Sequence, residues 1–99
     1  MEGRARISTD ILARYAGDAA RESPGVAGLI ESPLHRHAGV RISGEHERPD
    51  IVVHLRAEWD TPLQVMGKEI QRRIADYLGR MADVHPATID VVIEEIETS

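Results

Sequence analysis

Ile51-Val52-Val53-His54-Leu55-Arg56-Ala57-Glu58-Trp59, followed at once by Asp60-Thr61-Pro62-Leu63-Gln64, is the stretch on which the fold turns. Its first nine residues alternate. Ile51, Val53, Leu55, Ala57 and Trp59 fall on one side of an extended chain, and Val52, His54, Arg56 and Glu58 on the other. Successive side chains of a strand point to opposite faces, so one face reads as core and the other as mostly wet. A helix start follows. Thr61 is a good N-cap, Pro62 fits the first helical position, and Gln64 completes a capping box with Thr61. Leu63, Met66, Ile70, Ile74, Tyr77, Leu78 and Met81 then recur at helical spacing. Lys68, Glu69, Arg72, Arg73, Asp76 and Arg80 occupy the outer face. Glu69 with Arg73 and Asp76 with Arg80 are correctly oriented i,i+4 pairs, each contributing about 0.2–0.5 kcal/mol.

Working toward the N-terminus, residues 44–50 are polar and read as a hairpin loop, with Pro49 near its end. Val40 and Ile42 alternate with Arg41 and Ser43, as in a half-buried strand. Residues 33–39 read as a loop and residues 26–32 as a short apolar strand. Ser23-Pro24-Gly25 stops a preceding helix, in which Ile11, Leu12, Tyr15, Ala16, Ala19 and Ala20 recur at helical spacing. Ser8 or Thr9 caps that helix, and Asp10 sits favourably in its first turn. Residues 3–8 are expected to form a short first strand. Toward the C-terminus, residues 84–86 make a turn and residues 88–96 a last strand, with Ile89, Val91 and Ile93 on one face. The expected fold is therefore α+β and two-layered: a small mixed or antiparallel sheet of three to five strands, two helices on one face, in the order β-α-β-β-β-α-β. Ile51, Val53, Leu55, Ile70, Ile74, Tyr77, Ile89, Val91 and Ile93 are expected to form the core.

The chain has 99 residues, the size of a single domain spanning 1–99. Cysteine is absent, which excludes disulfides, thiolate catalysis and Cys-based zinc sites. No apolar run approaches the roughly 20 residues of a membrane helix, and Met1-Glu2-Gly3-Arg4-Ala5-Arg6 lacks the apolar region of a signal peptide. A cytoplasmic location is expected, without direct membrane insertion. The net charge of −5 opposes a phosphate backbone, so no nucleic-acid partner is expected.

Four segments carry a family resemblance. They are Ile7-Ser8-Thr9-Asp10-Ile11-Leu12 with the small-residue helix Tyr15-Ala16-Gly17-Asp18-Ala19-Ala20; the turn Ser23-Pro24-Gly25-Val26-Ala27-Gly28-Leu29; the strand Ile51-Val52-Val53-His54-Leu55; and Leu63-Gln64-Val65-Met66-Gly67-Lys68-Glu69-Ile70-Gln71 with the closing Ile89-Asp90-Val91-Val92-Ile93. In this order the chain resembles the alkaline shock protein family, the Gls-type envelope stress response proteins of bacteria. The resemblance spans nearly the whole chain, although the loop containing His35 and His37 departs from it. It implies a non-enzymatic module that forms homo-oligomers and reaches the cell envelope through a membrane-anchored protein partner, and it supplies no catalytic residues.

The remaining chemistry is sparse. His35-Arg36-His37 provides two ligands at most on one side of a strand, where zinc needs three or four, so no metal site is assigned. Gly25-Val26-Ala27-Gly28 resembles the GxxG loop of KH domains, which makes a KH-like RNA-binding domain the alternative reading. A KH loop joins two helices, however, and this one is expected to join a helix to a strand, with no Lys or Arg inside it. No phosphate-binding loop or nucleophile elbow is present, and Glu58 and Asp60 read as a strand end and a helix start. Neither catalytic residues nor a cofactor are expected. The candidate interaction residues are His54, Arg56 and Glu58 on the wet face of the long strand, and Arg72 and Arg73 on the outer face of the second helix, a docking patch for an acidic partner such as the Glu94-Glu95-Glu97 tail of another copy.

Overall fold

A computed structural model of the chain describes residues 1–3, 5–31 and 39–99. The His35/His37 loop lies outside the described residues. The elements are α1 (Thr9–Arg21), β1 (Val26–Leu29), β2 (Val40–Gly44), β3 (Pro49–Ala57), α2 (Leu63–Ala82) and β4 (Thr88–Ile96). This is the expected α+β arrangement, with no leading strand among the described residues. Residues 5–8 make no ladder, and Ser8 instead serves the helix, its Oγ accepting from the Ile11 N–H at 3.2 Å.

β3 is the centre of the sheet. β4 runs parallel along one edge for its whole length, from Asp50 beside Thr88 to Ala57 beside Ile96. β1 and β2 share the other edge, both antiparallel to β3. They meet at His54, whose backbone carbonyl accepts from the Ile30 N–H at 2.8 Å while its N–H donates to the Gly39 carbonyl at 2.9 Å. The two short strands are thus one edge strand in two pieces. Gly39 makes the junction possible: its φ is +89°, and a Cβ there would lie 2.6 Å from the Ile30 carbonyl oxygen. The sheet is mixed because β3 reaches β4 through a crossover helix, as parallel neighbours require.

Both helices cover one face. Leu12, Ala13, Ala16 and Ala20 of α1 and Met66, Ile70, Ile74 and Leu78 of α2 close over Ile51, Val53, Leu55 and Ala57, all buried. The small side chains of α1 let its backbone approach the sheet closely. Ile51, Val53, Leu55, Ile70 and Ile74 are fully buried as expected, whereas Tyr77, Ile89, Val91 and Ile93 are half-buried and pack against the core from its edge. Tyr77 meets Tyr15 edge-on, with ring centroids 5.3 Å apart, and closes the seam between the helices.

Three local expectations need correction. Trp59 is not a core residue: β3 ends at Ala57, the chain turns at Asp60 with φ +61°, and Trp59 is 60% exposed. The capping box does not form. The N-cap is Pro62, with no side-chain bond, and the Thr61 hydroxyl donates back to the Glu58 carbonyl at 2.8 Å, tightening the turn. Ile11 and Met81 lie at the exposed margins of their helical stripes, while Ala13 is buried in α1.

Candidate interaction surface

Alternation places Val52, His54 and Arg56 on the face of β3 away from the helices, where they are half-buried. Among the described residues, no element crosses this face. Its neighbours come from the flanking strands: Arg41 stands beside Val52 in β2, and Asp90 and Val92 stand beside Val52 and His54 in β4.

A change of register shapes the acidic end. Leu55 pairs with Ile93, but Arg56 pairs with Glu95, so β4 carries an extra residue at this point. Glu94 and Glu95 are consecutive, yet both reach groups of the open face. The His54 Nδ1 lies 3.1 Å from a Glu94 carboxylate oxygen, and the Arg56 guanidinium lies 3.8 Å from carboxylates of both Glu95 and Glu97. Plain alternation would send Glu95 to the helix side. The signal for the bulge is in the sequence: apolar residues at 89, 91 and 93 are followed by Ile96, a spacing of three where two is the rule, and Ile96 stands beside Ala57. The face therefore carries Arg56 and the His54 imidazole along β3, carboxylates along β4, and the valines Val52 and Val92 among them.

The five candidate residues separate into three places. His54 and Arg56 share the open face. Glu58 lies past the end of β3, exposed, its N–H donating to the Gly25 carbonyl. Arg72 and Arg73 sit on α2, outside the sheet, and both grip Glu69, at 2.6 and 2.9 Å. Hydrogen bonds from the two guanidinium groups hold the Glu69 carboxyl at about 2, against an ordinary 4.5. Asp18, Glu22 and Asp76 line the same groove as these arginines, so this surface carries both signs and is not a basic patch. Gly25 lies in the turn after α1 and Val26-Ala27-Gly28 lie within β1, so this segment leads from a helix into a strand, as expected from sequence, and does not join two helices. Among the described residues, no three His, Asp or Glu side chains converge as metal ligands, and no helix is long and apolar enough to cross a membrane.

No family model and no curated protein sequence matches the chain. Solved structures do. A histidine-to-alanine variant of the MamM C-terminal domain is 14% identical, with a TM-score of 0.59, covering 91% of this chain and 100% of that one. A copper form of an aspartate-to-histidine variant of that domain matches over the same shares with the same TM-score. A histidine-to-glutamate variant is 15% identical, with a TM-score of 0.57, over 88% of this chain and 94% of that one. At this identity the likeness concerns the fold: the chain has the two-layer α+β architecture of the MamM C-terminal domain.

Proposed function

We propose that this domain is a non-catalytic interaction module that self-associates through the open face of its sheet, in a role like that of the alkaline shock protein family. One observation carries the reading. The helices close over one face of β3, and the opposite face joins apolar residues to charges laid out in separate rows. Arg56 and His54 lie on β3, and Glu94, Glu95 and Glu97 on or just beyond β4. A two-fold axis through such a face sets Arg56 of each copy on the acidic row of the other, which is the self-complementarity an isologous dimer requires. Val52 and Val92 supply the apolar centre. The resemblance adds a membrane-anchored protein partner at the cell envelope, reached by the assembled module.

Sedimentation velocity over a range of protein concentrations tests the proposal. The wild type is expected to sediment above monomer mass, and Arg56→Glu to return it toward monomer. A wild type that remains monomeric at every concentration, or an oligomer indifferent to Arg56→Glu, overturns the placement of the interface.

A further inference from the structure

The turn from β3 to α2 does something the fold does not need: it holds the chain's single tryptophan out in solvent. Trp59 is 60% exposed, and Val65, in the first turn of α2, is 67% exposed. The frame around them is firmly tied. The Glu58 N–H donates to the Gly25 carbonyl at 2.8 Å, and the Thr61 hydroxyl donates to the Glu58 carbonyl at 2.8 Å. Gly25, with φ +89°, packs so closely that a Cβ there would lie 2.5 Å from the Thr61 methyl. Asp60 has a positive φ, +61°, which fixes the turn that carries Trp59 out of the strand. A large aromatic on a rigid frame gives up little freedom when it is covered, the property of an interface anchor.

The surroundings specify what could cover it. Trp59 lines an open cleft of about 530 Å³ with Pro24, Pro62, Val65 and Met66. The charged residues lining the cleft are Glu58, Asp60 and Glu69; none is basic. Glu69 is already held by Arg72 and Arg73. Among the described residues no cation lies within ion-pair reach of Glu58 or Asp60. An aromatic face beside carboxylates lacking a cation suits a planar guanidinium, which stacks on indole and bonds a carboxylate with two parallel N–H groups. The apolar walls suit aliphatic side chains flanking it.

We infer that the β3–α2 corner is a docking site for an arginine-bearing, otherwise apolar peptide segment of a partner protein, the guanidinium seated on Trp59 and paired with Glu58 and Asp60. The site lies past the end of the sheet and does not depend on self-association through the open face.

The test uses the full chain, ¹⁵N-labelled, titrated with the blocked peptide acetyl-Leu-Arg-Leu-Arg-Leu-amide and with its citrulline counterpart, which keeps the shape and loses the charge. The expected result is saturable movement of the Trp59 indole and of amides 58–66. Affinity should fall about ten-fold or more for the citrulline peptide, for Glu58→Gln/Asp60→Asn and for Trp59→Ala. These side chains are exposed, so the variants are expected to remain folded, which their unperturbed core resonances will establish. Absence of shifts at millimolar peptide, equal binding of the citrulline peptide, or shifts centred on β4 overturns the assignment. So does a wild-type oligomer that Trp59→Ala alone renders monomeric, since a second copy is then the occupant.

Discussion

The two faces of β3 are built from alternate residues of one nine-residue strand and have opposite physics. Ile51, Val53, Leu55 and Ala57 are sealed under two helices. Val52, His54 and Arg56, one residue out of phase, stay half-wet and meet carboxylates from β4. The phase of the alternation separates the faces, because every polar residue from 51 to 57 falls on the same one. The closed face holds the domain together by excluding water. The open face is only half-buried and carries its charges in ion pairs with β4.

The sharpest way to break this comparison is to truncate one residue on each face. Leu55 is fully buried beneath both helices. Leu55→Ala removes its transfer free energy and leaves a cavity, and should destabilise the domain by about 2–5 kcal/mol in urea unfolding. Arg56→Ala, the next residue along, should change the same measurement by about 1 kcal/mol or less, because its ion pairs are long and exposed. Equal effects at the two positions would mean that both faces belong to the core.

A second substitution tests whether the edge beside β3 behaves as one strand. Gly39→Ala places a Cβ against two carbonyl oxygens at a φ of +89°. The expected cost is about 1–3 kcal/mol, read from the same unfolding curves. A neutral result would mean that β1 and β2 are independent pieces and that the backbone of His54 does not join them.

The period-two pattern of residues 51–57 and the 3.6-residue pattern of α2 were sufficient to place both layers, because each pattern records a burial boundary that the chain must satisfy along its whole length. What was not legible was local and depended on partners distant in sequence. Trp59 continues the apolar phase of β3, and nothing in the neighbouring residues says that the ladder stops at Ala57; the turn depends on Gly25, more than thirty residues earlier. The segment around Thr61 permits a cap, yet the Thr61 hydroxyl turns back to Glu58. The candidate surface was half legible. His54 and Arg56 follow from alternation, but the placing of Glu95 beside Arg56 required the bulge, and only the stray spacing of Ile96 hints at it. The separation of Arg72 and Arg73 from the open face is a matter of topology, which a helical period cannot report.

Charge reversal sharpens the comparison at the level of association. Arg56→Glu puts a carboxylate among Glu94, Glu95 and Glu97 and opposes the acidic row of a second copy. Affinity of the proposed dimer should drop about ten-fold or more, and raising the salt concentration should weaken wild-type association in the same direction. Arg72→Glu lies on α2, where Glu69 already engages the side chain, and should leave the sedimenting mass unchanged. Disruption by Arg72→Glu with Arg56→Glu silent would move the interface from the sheet to the helices.

The smallest expected effect is on acid stability, and it separates charges that serve the fold from charges that serve contact. Glu69 is the carboxylate of α2 held well below its ordinary range, at about 2 against 4.5, by hydrogen bonds from Arg72 and Arg73. A carboxyl with a depressed folded-state value binds its proton more readily in the unfolded chain. Its contribution to stability is therefore complete above about 4.5 and is lost as the pH falls toward about 2. Glu69→Gln should remove that contribution, lowering stability slightly at neutral pH and flattening the acid limb between these values, while the two proteins converge below it. The group is at the surface, so salt should shrink the difference. Urea midpoints measured at several pH values check the prediction. An acid limb unchanged by Glu69→Gln would assign the acid sensitivity of the fold to other carboxylates, and the open-face row formed by Glu94, Glu95 and Glu97 would be the next to neutralise.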